Sequence, residues 1–214
     1  MPSTQFLNLA PQAQERIRRE SLREFAGCGY DLASTNRIVE AIGISKGVLF
    51  KYFTDKESLF LYVADHAVRM YSRALPQGME GDIFDWLREA TAYKLRFIHE
   101  EPLVYRLALR ILKEPQHPVY AKALACQGQI QMQEAVTHRL LALVPVERLR
   151  PGVAPEDVLQ LLTWIATGIA DRFLASFPDG VGDDFDAVYQ ALTVEFDRYL
   201  TILKDGVLGR EVGV

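Results

Sequence analysis

Lys46, Gly47, Phe50 and Lys51 have the types and spacing to meet a polyanion. At 100° per residue, a helix through them gathers Lys46, Phe50, Gly47 and Lys51 on one arc, and Val48, Tyr52, Ser45, Leu49 and Phe53 on the opposite arc. The second arc is expected to pack inward. The first is expected to stay free, with two lysines for phosphates, an aromatic, and a glycine that lets a backbone come close, a face suited to the major groove of DNA. No other chemistry competes: the chain shows no Gly-rich phosphate loop, no GxSxG elbow and no Cys or His cluster at metal spacing. His66, His99, His117 and His138 are scattered singly, and the adjacent carboxylates Glu100-Glu101 and Asp183-Asp184 fit helix ends without catalysis. No metal, cofactor or enzymatic role is expected.

That helix must be positioned by its neighbours. Ser34 precedes Ile38 and Ile42, which share a face at i, i+4, so its hydroxyl caps a first short helix. Gly43 ends it and Ser45 caps the next, giving helix, turn, helix. Segment 34–56 carries four cations against two carboxylates and is net +2, whereas the chain is net −4, so the rest is −6. Bulk coating of nucleic acid is excluded by this balance and by the pI of about 5.6.

The stretch 27–60 resembles the N-terminal DNA-binding domain of the tetracycline repressor (TetR) family of transcriptional regulators. The matching features are Phe25-Ala26, Gly29-Tyr30, Ile38, the run from Gly43 to Gly47, Leu49, Tyr52-Phe53, Lys56-Glu57 and Leu59. The resemblance implies a homodimeric regulator, most often a repressor, that binds a near-palindromic double-stranded operator and answers to a small-molecule effector. Lys46, Gly47, Val48 and Phe50 are then candidates for base edges or sugars. Ser34, Thr35, Arg37, Lys51, Tyr52 and Lys56 are candidates for phosphates, with Ser45 at the same helix start. The family commonly has Tyr where Phe50 stands, and often Thr, Ser or Ala at Val48; Phe50 can offer only apolar contact.

Along the chain, 1–10 is expected to be a loose arm. A helix opens at Pro11, buries Ile17, Ser21, Leu22, Phe25 and Ala26, and ends at Gly27 and Gly29. Arg16, Arg18, Arg19 and Arg23 lie outward among Glu15, Glu20 and Glu24, as an ordinary solvated face or as phosphate contacts. Asp55 caps a fourth helix running towards Leu75-Pro76. After a break at Gly78 to Gly81, further helices are expected at 82–100, 102–113, 118–143, 155–177 and 183–204. The fold class is all-α, with about nine helices: a helix-turn-helix domain at 1–54, and a domain for effector binding and dimerisation at 55–214.

Val158 to Phe177 is apolar nearly all round and must be enclosed. By resemblance the last two helices form the dimer interface, through Ala166, Gly168, Ala170, Phe185, Val188, Leu192, Phe196 and Tyr199; an intrachain core is the alternative. Tyr93 with Phe97, Gln127 with Gln131, and Thr163 with Thr167 beside Trp164 could line a pocket for a mostly hydrophobic effector, or simply fill a core. Arg106, Arg110 and Arg172 could pair with an anionic effector or with carboxylates. No apolar run reaches the ~18 to 20 residues of a membrane span, and with no signal peptide the expected place is the cytoplasm. Cys28 and Cys126 are expected to be reduced thiols. The competing readings are an all-helical interaction module, or a small-molecule-binding enzyme, that does not bind DNA.

Overall fold

The computed structural model describes residues 2–73, 81–125, 137–176 and 185–209. All the regular elements among them are helical, apart from one isolated bridge between Leu149 and Leu208. The helices are α1 (Thr4–Leu7), α2 (Pro11–Leu32), α3 (Thr35–Ile42), α4 (Lys46–Tyr52), α5 (Lys56–Arg73), α6 (Ile83–Glu100), α7 (Pro102–Lys113), α8 (Pro118–Ala125), α9 (helical residues 137–142), α10 (Pro155–Ala175) and α11 (Phe185–Val207). A 3-10 turn spans Val146–Arg148. They fall into two compact units: α1 to α5 with α7 and α8, and α6 with α9 to α11. By compactness α5, α7 and α8 go with the helix-turn-helix.

In the first unit α5 supplies the core. Leu59, Phe60, Val63, Ala64 and Ala67 are buried on it, and Phe60 meets Phe25, Tyr30 and Tyr120 at ring centroid distances of 5.1, 5.2 and 5.5 Å. Each such fully buried side chain stabilises the fold by roughly 1.5–3 kcal/mol. Asp55 starts α5 as expected, its carboxylate accepting the Ser58 N–H at 2.7 Å while the Ser58 hydroxyl accepts the Asp55 N–H at 3.1 Å.

Two expectations fail here. Residues 1–10 are not a loose arm, because Ser3 caps α1 and Phe6 is fully buried. Gly27 stays within the helix, and the kink in α2 comes only at Gly29, at φ 73° and ψ 177°. The backbone demands glycine there, and a Cβ would also stand 2.7 Å from the Arg110 guanidinium, whose flexible side chain would have to shift, and 3.2 Å from the Tyr120 hydroxyl.

In the second unit α6, α10 and α11 pack against one another. Asp82 caps α6, accepting the N–H groups of Phe84 at 2.9 Å and Asp85 at 3.2 Å. Ion pairs Arg88–Asp197 and Lys204–Asp82, both at 2.7 Å, tie α6 and its cap to α11. Arg150 caps the end of α11 through the carbonyls of Leu208 and Asp205. By length and composition α10 is apolar enough to cross a membrane, contrary to the expectation from unbroken runs, because Gln160, Thr163, Thr167 and Gly168 interrupt it without adding charge. The core helix of a soluble bundle meets the same test.

Candidate nucleic-acid interface

The turn between α3 and α4 is held almost wholly by its own backbone and hydroxyls. Ser34 is extended (φ −113°, ψ 118°), and its oxygen accepts the Arg37 N–H at 3.5 Å. Gly43 adopts the left-handed conformation (φ 78°, ψ 36°), donating to Val39 O at 2.9 Å and Glu40 O at 3.2 Å, while the Ile44 N–H reaches Val39 O at 3.1 Å. These bonds satisfy carbonyls that end α3. Ser45 then caps α4 by accepting the Val48 N–H at 3.3 Å, an interaction that typically contributes ~1 kcal/mol.

On α4 the buried side is narrower than expected. Leu49 is fully buried and Phe53, just beyond the helix, is 1% exposed. Val48 and Tyr52 are half-buried and Ser45 is exposed, so they are not part of a closed inward arc. A two-turn helix packs along one i, i+4 line, and residues to either side of that line stay partly wet. Lys46, Gly47 and Lys51 are exposed and Phe50 is half-buried. The Lys46 ammonium lies 5.9 Å from the Phe50 ring centre. Among the described residues neither Lys46 nor Lys51 has a carboxylate partner.

Gly47 is the informative residue on this face. It is helical, and a Cβ built there would meet only the Ser45 hydroxyl, at 3.9 Å. Nothing in the chain's own packing requires glycine, although glycine inside a helix costs ~1 kcal/mol against alanine.

The expected phosphate ligands divide. Thr35 and Ser34 are half-buried at the start of α3. Arg37 is already engaged: its Nε donates to both Glu24 oxygens at 2.9 and 3.1 Å, and its Nη2 to Glu24 and to Leu32 O at 3.0 Å. That hydrogen bond holds the Glu24 carboxyl below the usual range. Glu24 also accepts the Ser34 N–H at 2.7 Å, so the pair fastens α2 to the start of α3. The Lys56 ammonium donates to Asp31 O at 3.1 Å and lies 4.7 Å over the Tyr30 ring. Arg37, although exposed, and half-buried Lys56 are therefore engaged by their own chain, while Lys46 and Lys51 are left without such partners among the described residues.

Composition and spacing gave little notice of α1. Phe6 meets Phe53 at 4.9 Å, Tyr62 at 5.1 Å and Tyr52 at 6.1 Å. Ser3 donates from its backbone to Tyr52 O and from its hydroxyl to Lys51 O, both at 2.9 Å. The carbonyl end of α4 is thereby clamped from behind. A Ser3 cap with Phe6 three residues later was the available signal.

In the second unit the candidate residues scatter. Phe97 is buried, but Tyr93 is 49% and Trp164 63% exposed, Thr163 is exposed with its hydroxyl bonded to Leu159 O, and Thr167 is half-buried. Gln127 and Gln131 lie outside the described residues. Of the expected interface, Ala166, Ala170, Leu192 and Phe196 are buried within their own unit, Phe185, Val188 and Tyr199 are half-buried, and Gly168 is exposed. Among the described residues of α10 and α11, the large apolar side chains left outward are Leu161, Trp164, Val194 and Ile202, which reading the helices by apolar stripes did not single out. Arg172 pairs with Glu195 at 2.6 Å, beside a shallow groove of about 430 Å³ between α10 and α11 lined by Ala175, Val188 and Ala191.

Residues 17–63 match the family described as bacterial regulatory proteins, tetR family. The chain is 31% identical over 192 residues, 84% of its length and 90% of the relative's, to the HTH-type transcriptional repressor Rv1474c of Mycobacterium tuberculosis. It is 29% identical over 208 residues, 97% of each, to the HTH-type transcriptional repressor AcnR of Corynebacterium diphtheriae. The fold matches a TetR family transcriptional regulator from Chloroflexus aurantiacus with a TM-score of 0.68 at 22% identity, over 98% of this chain and 100% of that one.

Proposed function

Because the chain belongs to the tetR family of bacterial regulatory proteins, we propose that it acts as a homodimeric repressor whose α4 enters the major groove of a near-palindromic operator. It is a DNA-binding transcriptional regulator, not an enzyme. Gly47 carries the reading at the level of this chain: a glycine that weakens its helix and relieves no internal clash is explained by close approach of an external backbone. Lys46 and Lys51 on either side of it meet phosphate or base edges, and Phe50 offers an apolar edge to a thymine methyl. In a dimer the two α4 helices enter successive grooves about 34–36 Å apart. Such a protein works in the cytoplasm, where the DNA is.

Release is proposed to follow binding of a small, mostly hydrophobic effector in the second unit. Support comes from Trp86 and Thr91, whose buried Nε1 and Oγ1 have no hydrogen-bond partner among the described residues. An unpaired buried polar group costs about 1–3 kcal/mol, which a bound molecule with one acceptor or donor would recover. An effector shifts the protein off DNA only by its differential affinity for the two forms.

The test is a pair of opposite signs. Gly47→Ala should raise thermal stability by up to ~1 kcal/mol and lower affinity for a duplex selected from a random pool by the wild-type protein. Lys46→Ala should weaken that same complex by about 1–3 kcal/mol. Unchanged binding by both variants in a mobility-shift titration removes α4 from the groove.

A further inference from the structure

The four outward arginines of α2 are not equivalent. Arg18 is paired with Glu15; Arg19 and Arg23 both pair with Glu20, at 3.2 and 2.6 Å, and Glu20 is itself only 7% exposed. Across the unit, Arg37 is spent on Glu24 in the same way. Arg16 is the exception: exposed, and without a carboxylate partner among the described residues. Its Nη2 reaches the Ala41 carbonyl at 3.5 Å, the outer limit of a hydrogen bond, and lies 3.8 Å from where a Cβ on Gly43 would stand. The guanidinium therefore rests on the turn that leads into α4, with most of its donors unused. It also lines an open cleft of about 690 Å³ along the first turns of α2, together with Gln12, Glu15 and Arg19.

We propose that Arg16 is a phosphate contact of this DNA-binding unit, anchoring the backbone beside the turn while Lys46 and Lys51 face the groove, and that Arg19, Arg23 and Arg37 are structural cations. Resting on the DNA-binding reading above, the assignment follows from charge that is free against charge that is already neutralised. A guanidinium held by a buried or bidentate carboxylate must break that pair before it can serve a phosphate, whereas Arg16 gives up one long bond to a carbonyl. It also sits where anchoring matters, since the end of α3 at Ala41 to Gly43 leads into the turn that presents α4.

Counterion release separates the roles. For the wild-type protein on its selected duplex, the logarithm of the binding constant falls linearly with the logarithm of salt concentration. Loss of a phosphate contact shallows that slope by about 0.9 per contact, hence roughly twice that for a dimer. Arg16→Ala should shallow the slope and weaken selected and scrambled duplexes alike, and Arg16→Lys should restore most of the slope. Arg23→Ala and Arg37→Ala should leave the slope as it was, even where Arg37→Ala lowers affinity through loss of the Glu24 tie. If Arg16→Ala weakens binding or lowers the melting temperature with the slope unmoved, Arg16 only caps α3 and the assignment is overturned. A shallower slope in Arg37→Ala overturns the second half of it. Failure of the wild-type protein to select any duplex overturns the DNA-binding reading itself, a result distinct from either.

Discussion

Among the described residues, the exposed side of α4 and the exposed sides of α10 and α11 have opposite chemistry. The free side of α4 is lysine, glycine and the edge of a phenylalanine, set on a backbone whose ends are satisfied by Ser45, Gly43 and the Ser3 contacts. The free side of α10 and α11 carries Leu161, Trp164, Val194 and Ile202, from 36% to 68% exposed. The first is at ease in water and can meet and leave its partner at the cost of exchanging ions. The second pays for every square ångström it keeps wet, at roughly 25 cal/mol per Å² of apolar surface, which favours a lasting partner such as a second copy of the chain. One polypeptide thus carries a cationic face and an apolar one, and they lie on different compact units.

The comparison can be broken most severely from behind α4. Phe6→Ala should cost about 3–5 kcal/mol of stability in the first unit, the usual range for emptying a fully buried aromatic site. Both tryptophans, Trp86 and Trp164, belong to the second unit. Far-ultraviolet dichroism should therefore show an early loss of helix that tryptophan fluorescence does not share. Coincident transitions by the two probes would mean the units unfold together.

Trp164→Glu is aimed at the other face. It should leave the melting of the monomer nearly intact and weaken self-association by about 2 kcal/mol or more, the scale of an aromatic anchor at an interface. Sedimentation velocity reads this directly. A variant still dimeric at the lowest detectable concentration moves the interface elsewhere.

A smaller effect sharpens the same contrast. Burial, aided by the Arg18 charge, lowers the pKa of His66 on α5 from 6.5 to about 4. Its neutral form is the one that folds. The stability it contributes is complete above 6.5 and is lost as pH falls towards about 4, because only the unfolded chain takes up the proton in that window. The urea midpoint of the first unit should therefore slope downward over this range, and His66→Gln should flatten it. An equal slope in the variant assigns the acid sensitivity to other groups.

The turn from Ser34 to Phe53 was legible residue by residue, because caps, a left-handed glycine and i, i+4 pairs act within a few residues of one another. The starts of α7 and α10 followed from Pro102 and Pro155, and that of α6 from the break at Gly78 to Gly81, for the same reason. What escaped was set at a distance. The tie between Arg37 and Glu24, thirteen positions earlier, is not written in the neighbours of either residue. The arm looked loose until Phe6 met Tyr62. On α11, Leu192 and Phe196 look as suited to a partner as Val194 and Ile202, since a helix apolar on more than one side has no unique inside.

The order of amino acids by itself determined the family, the helical architecture and the capped short helix with a cationic outer face, because each is encoded by short-range geometry and by a motif of fixed spacing. The tertiary structure alone decided which cations remain free and which apolar stripe remains wet. Both are remainders, left after carboxylates and side chains from far along the chain have taken what they bind, and a remainder exists only once the chain has folded.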